Sequence, residues 1–283
     1  MKHNRLKQFF QDFYLALILL FLYIPIVTMI VLSFNNTKSR TVWGGFTTRW
    51  YTQMFQDSAI MNALNNTLLI AFASALIATV IGTIAAIVIN SMKRIPRTIV
   101  MGINNIPMLN SDIVTGISLM LAFIAFGISL GFKTVLIAHI TFNIPYVILS
   151  VMPKLKQTNR YTYEAALDLG ASPLYAFFKV VFPDIVPGIL SGFLMAFTMS
   201  LDDFIITHFT RGAGMDTLST LIYSQVRRGI QPTMYALSTL IFVAVLVLLL
   251  ITNFAPEKKS TGNATVIDTE TINRRKRNNQ IKN

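Results

Sequence analysis

The sequence has no cysteine, which excludes disulfides and thiolate metal sites and leaves the compartment open. It is short of charge, with 13% Asp, Glu, Lys and Arg, about half of what soluble domains carry. Acids are the scarcest part of that, 12 against 24 Lys and Arg. No G-x-x-x-x-G-K-[ST] occurs, so the chain carries no P-loop to cradle a nucleotide, and an ATP motor would be another polypeptide. A net charge of +12 raises the question of nucleic acid, but the Lys and Arg avoid the long apolar runs and gather at their ends. That distribution belongs to a membrane protein and excludes a nucleic-acid partner.

Apolar residues make up 53% of the chain and the mean hydropathy is +0.58, values that exclude a soluble globular domain. Lys2, Arg5 and Lys7 precede an apolar run over 13–32 that is too long for a signal-peptide core and lacks a small-x-small site after it, so an uncleaved first span is expected. Residues 33–63, with Trp43, Gly44, Gly45, Trp50 and Tyr51, suit a folded extramembrane loop. Further spans are expected over 64–89, 98–126, 132–152, 185–209 and 235–254, giving an all-α, six-helix membrane domain over 13–254. The third is longer than a bilayer needs, and Asn104, Asn105, Pro107, Asn110, Ser111 and Asp112 interrupt it, so a broken helix is expected there. A tight turn covers 127–131, and a polar loop with Arg211, Asp216, Arg227 and Arg228 precedes the last span. Six spans put 17 of the 24 Lys and Arg on the side of the termini and seven on the other, so the N-terminus (1–12), the basic tail (255–283) and the segment around 163–183 are expected to be cytoplasmic. The tail reads as disordered.

The stretch 163–183, YEAALDLGASPLYAFFKVVFP, is polar and helix-forming between two apolar runs. Glu164, Ala165 and Ala166 are expected to begin a helix, Asp168 to sit in its first turns where the dipole favours an acid, and Gly170 to interrupt it. Ser172 then caps a second short helix with Pro173 at its first position, Leu174, Phe177, Phe178 and Val181 form an apolar stripe, and Pro183 ends it. In register, Glu164-Ala165-Ala166, Gly170, Val180, Phe182 and Pro183 resemble the EAA loop of ABC-importer permeases, with Val for Ile and Phe for Leu. The resemblance implies a coupling helix that docks in a cleft of the cytoplasmic ATPase, with Glu164 holding it and Gly170 letting the chain bend.

Asp112, Asp202 and Asp203 lie within apolar runs, where an acid costs about 2.5–3.5 kcal/mol on insertion scales. Counted along straight helices at about 1.5 Å per residue, all three fall in the outer half of the bilayer. Asp202 and Asp203 are about 100° apart on a helix, so one faces the pathway and the other a neighbouring helix, with Ser200 on the face of Asp203 and Thr198 on that of Asp202. Without Lys or Arg at that depth, the cavity would attract a cation.

The runs Asn110-Ser111-Asp112-Ile113-Val114 with Ile117-Ser118-Leu119, Leu130-Gly131-Phe132 with His139-Ile140-Thr141-Phe142, and Ser200-Leu201-Asp202-Asp203 resemble the PotC-type permeases of spermidine/putrescine ABC transporters. So do Leu22-Tyr23-Ile24-Pro25-Ile26 and Gly45-Phe46-Thr47-Thr48 before Trp50-Tyr51. The likeness implies a six-helix MetI-like fold paired with a homologous second permease (PotB type), two ATPases (PotA type) that hold ATP and Mg²⁺, and an outer polyamine-binding protein (PotD type). The chain itself would hold no cofactor or metal and would not be an enzyme. A polyamine suits the acids, and aromatic faces bind its ammonium groups. Trp43 is the entrance candidate, with Trp50 and Tyr51 read as interfacial belt residues. His139 and Asn143 are expected to bond between helices. Another cation, including a divalent metal, also suits carboxylates. An ion-coupled secondary transporter is the rival from another class, and the coupling segment argues against it.

Overall fold

In the computed structural model the described residues are 2–254; the tail 255–283, expected to be disordered, lies outside them. The described residues are helical, with one isolated antiparallel bridge between Asn35 and Phe46. Helix α1 (Lys2–Ser33) carries the first apolar run, and from Phe13 its large side chains are mostly exposed. The segment after α1 then folds around Asn35, whose side chain donates to the carbonyls of Ser39 (3.1 Å) and Val42 (2.8 Å) and accepts from Gly44 N–H (2.9 Å). A short helix α2 (Arg49–Gln56) closes it.

Helix α3 (Ser58–Ser91) starts six residues earlier than the apolar run, because Asp57 accepts from Ala59 N–H at 2.9 Å and caps it. The expected broken third span is two helices, α4 (Arg94–Leu109) and α5 (Asp112–Ala125), bent by 103° across Asn110 and Ser111. This bend corrects the depth assigned to Asp112, since the straight axis along which it was counted does not exist. A turn at Gly127 (φ +69°) leads to α6 (Phe132–Gln157).

Short helices α7 (Arg160–Asp168) and α8 (Pro173–Ala176) follow, then a π-helical turn (Phe177–Val181) that runs directly into α9 (Phe182–Asp202). Pro183 therefore does not end a helix, as expected from sequence, but sits in the first turn of α9 within one continuous helical stretch, Pro173–Asp202. The π register, with Phe182 N–H bonded to Phe177 O, widens the backbone where the proline ring would press on the carbonyl a turn before it and has no N–H to give. After α9 come α10 (Ile205–Thr210), α11 (Leu218–Arg228) and α12 (Pro232–Phe254). The sequence reading left α11 as loop. Four described helical stretches are long and apolar enough to span a membrane, five with the bent pair, and the sixth expected span falls on α12, apolar over Pro232–Val243. From Leu240 the chain forms a second unit, helical through Phe254.

The core joins α3, α6 and α9. Ala75, Ala78 and Ala86 of α3 meet Val147, Ile148 and Val151 of α6 and Ile185 and Ala196 of α9. Lipid offers no hydrophobic drive between helices, so close approach over small residues supplies the packing. At Gly82 the approach is tight enough that a Cβ would stand 2.8 Å from the Val147 side chain.

Candidate translocation pathway and coupling surface

Helix α9 stops at Asp202, and Asp203, with ψ 126°, turns out of it. The helical spacing expected to set Ser200 and Asp203 on one face therefore fails, and the two meet through α6 instead. The Asp203 carboxylate accepts from Thr207 N–H (2.8 Å), Thr207 Oγ1 (2.9 Å) and Ile206 N–H (3.3 Å), which starts α10 with an acid at its positive end. His139 Nε2 faces the same oxygen at 3.4 Å and lies 2.9 Å from Thr207 Oγ1. With His139 as the Nε2–H tautomer, one arrangement satisfies these atoms. Thr207 Oγ1 gives its proton to Asp203, His139 Nε2–H donates to Thr207, and His139 Nδ1 accepts from Ser200 Oγ at 2.9 Å. Ser200 in turn accepts from Asn143 Nδ2 (2.8 Å) and Ser74 Oγ (2.9 Å).

This network ties α3, α6, α9 and α10 at one buried point, with Ser200 4% exposed and His139 2%. His139 and Asn143 bond between helices as expected. Ser74 and Thr207 were not singled out in the sequence; Ser74 sits in an alanine-rich face that reads as packing, and Thr207 looks like any hydroxyl near a span end. Asp202, by contrast, is exposed, and no described residue hydrogen-bonds its carboxylate to another helix.

Beside the break, Phe204 packs at a tilt against Tyr223 of α11 with centroids 4.6 Å apart and stacks on His208 at 5.2 Å. Ser219 of α11 donates to the Asp203 carbonyl at 2.6 Å, so α11 is fastened to the break. A cavity of about 350 Å³ opens next to these rings and is lined by His208, Arg211, Arg227 and Arg228. Within this lining Arg211 is paired with Asp216.

Asp112 is exposed in the first turn of α5, where the helix dipole favours an acid. Its described interaction is electrostatic, with the Tyr146 hydroxyl of α6, and it does not contact Asp202 or Asp203. Tyr146 packs in the cluster that includes Ile206 and Met199, so Asp112 and the α9–α10 break border the same stretch of α6. Trp43 is 55% exposed in the segment between α1 and α2. Trp50 is not a belt residue: it is 4% exposed and its Nε1 donates to the Asn35 carbonyl at 2.7 Å, inside the folded loop. Tyr51 bonds Ser33 Oγ at 2.8 Å.

In the segment 163–183, Glu164, Ala165 and Ala166 lie in the middle of α7 rather than beginning it, because Asn159 caps the helix by accepting from Tyr161 N–H at 3.0 Å. Asp168 accordingly falls at the last position of α7, not in its first turns, where the dipole disfavours an acid. Gly170 has φ +86° and Ser172 caps α8, both as expected. Phe177 and Val181 turn toward the core, while Leu169, Leu174, Tyr175 and Phe178 remain exposed.

Residues 78–258 match the family described as binding-protein-dependent transport system inner membrane component. The chain belongs to that family. The permease is 41% identical over 237 residues to the putrescine transport system permease protein PotI of Escherichia coli K12, covering 80% of this chain and 83% of that protein. It is 35% identical over 250 residues to the spermidine/putrescine permease protein PotC of the same organism (88% and 95% covered) and 34% over 252 residues to PotC of Haemophilus influenzae (89% and 98%). Among solved structures, an alginate-importing bacterial ABC transporter matches with TM-score 0.66 at 19% identity, covering 88% of this chain and 96% of that one. The inward-facing MetNI methionine transporter matches at 0.56 and 18%, covering 69% and 95%. These likenesses establish the importer-permease fold. The permease is thus a multi-pass membrane protein and a transport subunit.

Proposed function

We propose that this permease is one of two transmembrane subunits of an ATP-driven polyamine importer. The observation that carries the reading is its identity of 41% and 35% with permeases of putrescine and spermidine/putrescine systems over most of both chains. A homologous second permease supplies the other half of the pathway, two ATPase subunits bind ATP and Mg²⁺, and a polyamine-binding protein delivers substrate from outside. The termini, including the tail beyond 254, and residues 163–183 face the cytoplasm.

In this reading the exposed Leu169, Leu174 and Phe178 are what the ATPase covers, with Glu164, Ala165, Ala166, Gly170 and Pro183 shaping the docking element. Closure of the ATPase dimer pulls on α7 and α8, and the continuous path through the π turn carries that pull into α9. Asp202 takes an ammonium group of the substrate, with the Phe204 and Tyr223 faces beside it. Asp112 and Trp43 attract the cation along the way, and Asp203 and Ser200 hold the break in shape. The decisive experiment is uptake of labelled spermidine and putrescine in cells lacking their own polyamine import and expressing this permease with the three partners. Uptake that needs every component, and that unlabelled polyamine but not Mg²⁺ blocks, is expected. An assembled, ATP-hydrolysing complex that moves no polyamine would overturn the substrate and leave the importer class standing.

A further inference from the structure

Helix α4 carries a basic face beside an apolar one. At 16 residues it is about 24 Å long, short of the ~30 Å hydrocarbon core, and its 103° bend takes it out of line with α5. One face carries Arg94, Arg97, Thr98 and Asn105, at helical spacing, and these close with Lys156 of α6 around a cavity of about 550 Å³. The adjoining face carries Ile95, Ile99, Ile103 and Ile106, each more than half exposed. Among the described residues no carboxylate lies within ion-pair range of Arg94, Arg97 or Lys156, and the Arg97 guanidinium finds only the Met152 sulfur at 3.4 Å. Three cations around one cavity repel one another unless an anion joins them. A cavity of that size at the end of membrane helices, with an apolar stripe running from its rim, fits one class of molecule.

We propose that this cavity binds the phosphate headgroup of an anionic phospholipid, with an acyl chain lying along the isoleucine stripe of α4. Arg94 and Arg97 bind the phosphate oxygens, Lys156 adds a point charge from α6, and Thr98 and Asn105 offer polar contacts to the rest of the headgroup. A bound lipid would pin α4 to α6 beside the break at Asn110 and Ser111, independently of which substrate is carried. A soluble phosphate would satisfy the cations and leave the isoleucines bare.

The test is native mass spectrometry of the assembled importer released from vesicles of equimolar phosphatidylglycerol and phosphatidylcholine. Wild type is expected to retain phosphatidylglycerol selectively, the R94Q/R97Q/K156Q variant to lose it, and R94K/R97K, which keeps the charge, to retain it. Should the triple variant fail to assemble, R97Q alone, at the least exposed of the three cations, is expected to lose most of the adduct. Equal retention of both lipids by wild type, unchanged retention by an assembled charge-removing variant, or displacement of the lipid by inorganic phosphate overturns the proposal. So does an assembled wild-type complex without lipid, which would mean that another subunit covers the stripe.

Discussion

Replacing Ser200 by alanine separates a structural role from a substrate-binding one. Ser200 Oγ joins Ser74, His139 and Asn143 at 2.8–2.9 Å, and its removal strands two side chains of α6 and one of α3 together. Hydrogen bonds between membrane helices average about 0.6 kcal/mol and reach about 1.7, so three of them lost amount to roughly 2 kcal/mol, a factor of about 30 in the folded-to-unfolded ratio. The stranded groups are buried, so water cannot repair the loss cheaply. The assay is the midpoint of SDS-induced unfolding of the purified permease, read beside the KM for polyamine uptake by whatever complex assembles. S200A is expected to lower the midpoint and to leave KM within about twofold. An S200A permease that unfolds like wild type while its KM rises tenfold or more would refute the reasoning, because Ser200 would then be touching the substrate.

At Gly170, φ is +86° and nothing lies within 4 Å of where a Cβ would be, so the cost of substitution is backbone strain alone, about 1–2 kcal/mol for most residues and less for Asn. G170N is expected to keep more ATP-coupled uptake than G170V or G170D at equal membrane abundance; equal coupling in all three would remove the turn from the mechanism. G82A should cost about 1–3 kcal/mol by pushing its methyl against Cβ and Cγ1 of Val147, and V147A in the same chain, which removes Cγ1 and keeps Cβ, should recover only part of that in the unfolding midpoint. D202N is expected to raise the KM for polyamine without lowering that midpoint.

Hydropathy alone marked the long apolar helices, because a bilayer demands long apolar runs wherever the chain crosses it, but it carried the fifth expected span, 185–209, through the break after Asp202. The break near Asp112 was also legible, since Asn, Pro and Ser crowd into it. Helix ends were not. The start of α7 depends on Asn159, five residues before Glu164, and missing that cap moved Asp168 from the last position of the helix to its first turns. Helix α11 was hidden by its arginines, although Thr217 with Thr220 at its start and Gly229 after its end mark a helix. Of the Ser200 network only the helix-bridging role of His139 and Asn143 was legible; their partners were not, because the bonds join residues 61 and 126 positions apart and only the packing of α3, α6 and α9 makes them neighbours.

The same geometry divides the acids. Asp112 stands in the first turn of α5, and Asp203 accepts the first N–H groups of α10, so both sit where a helix dipole rewards a negative charge and where a broken helix needs one. Their presence in apolar sequence is explained by the two breaks before any substrate is invoked. Asp202 has no such reason. It is the last residue of α9, at the negative end of a 21-residue helix, next to the charge of Asp203 and exposed. That position costs the fold about 0.3–1 kcal/mol, which an uncharged residue would recover. An acid kept at a site where it destabilises the helix points to something outside the helix that needs its charge, and in a polyamine pathway that is an ammonium group. D202N should therefore unfold at a slightly higher SDS concentration than wild type while transporting less well at low polyamine. If it is instead less stable with unchanged KM, Asp202 belongs to the fold like its neighbours, and the cation site lies on the other permease.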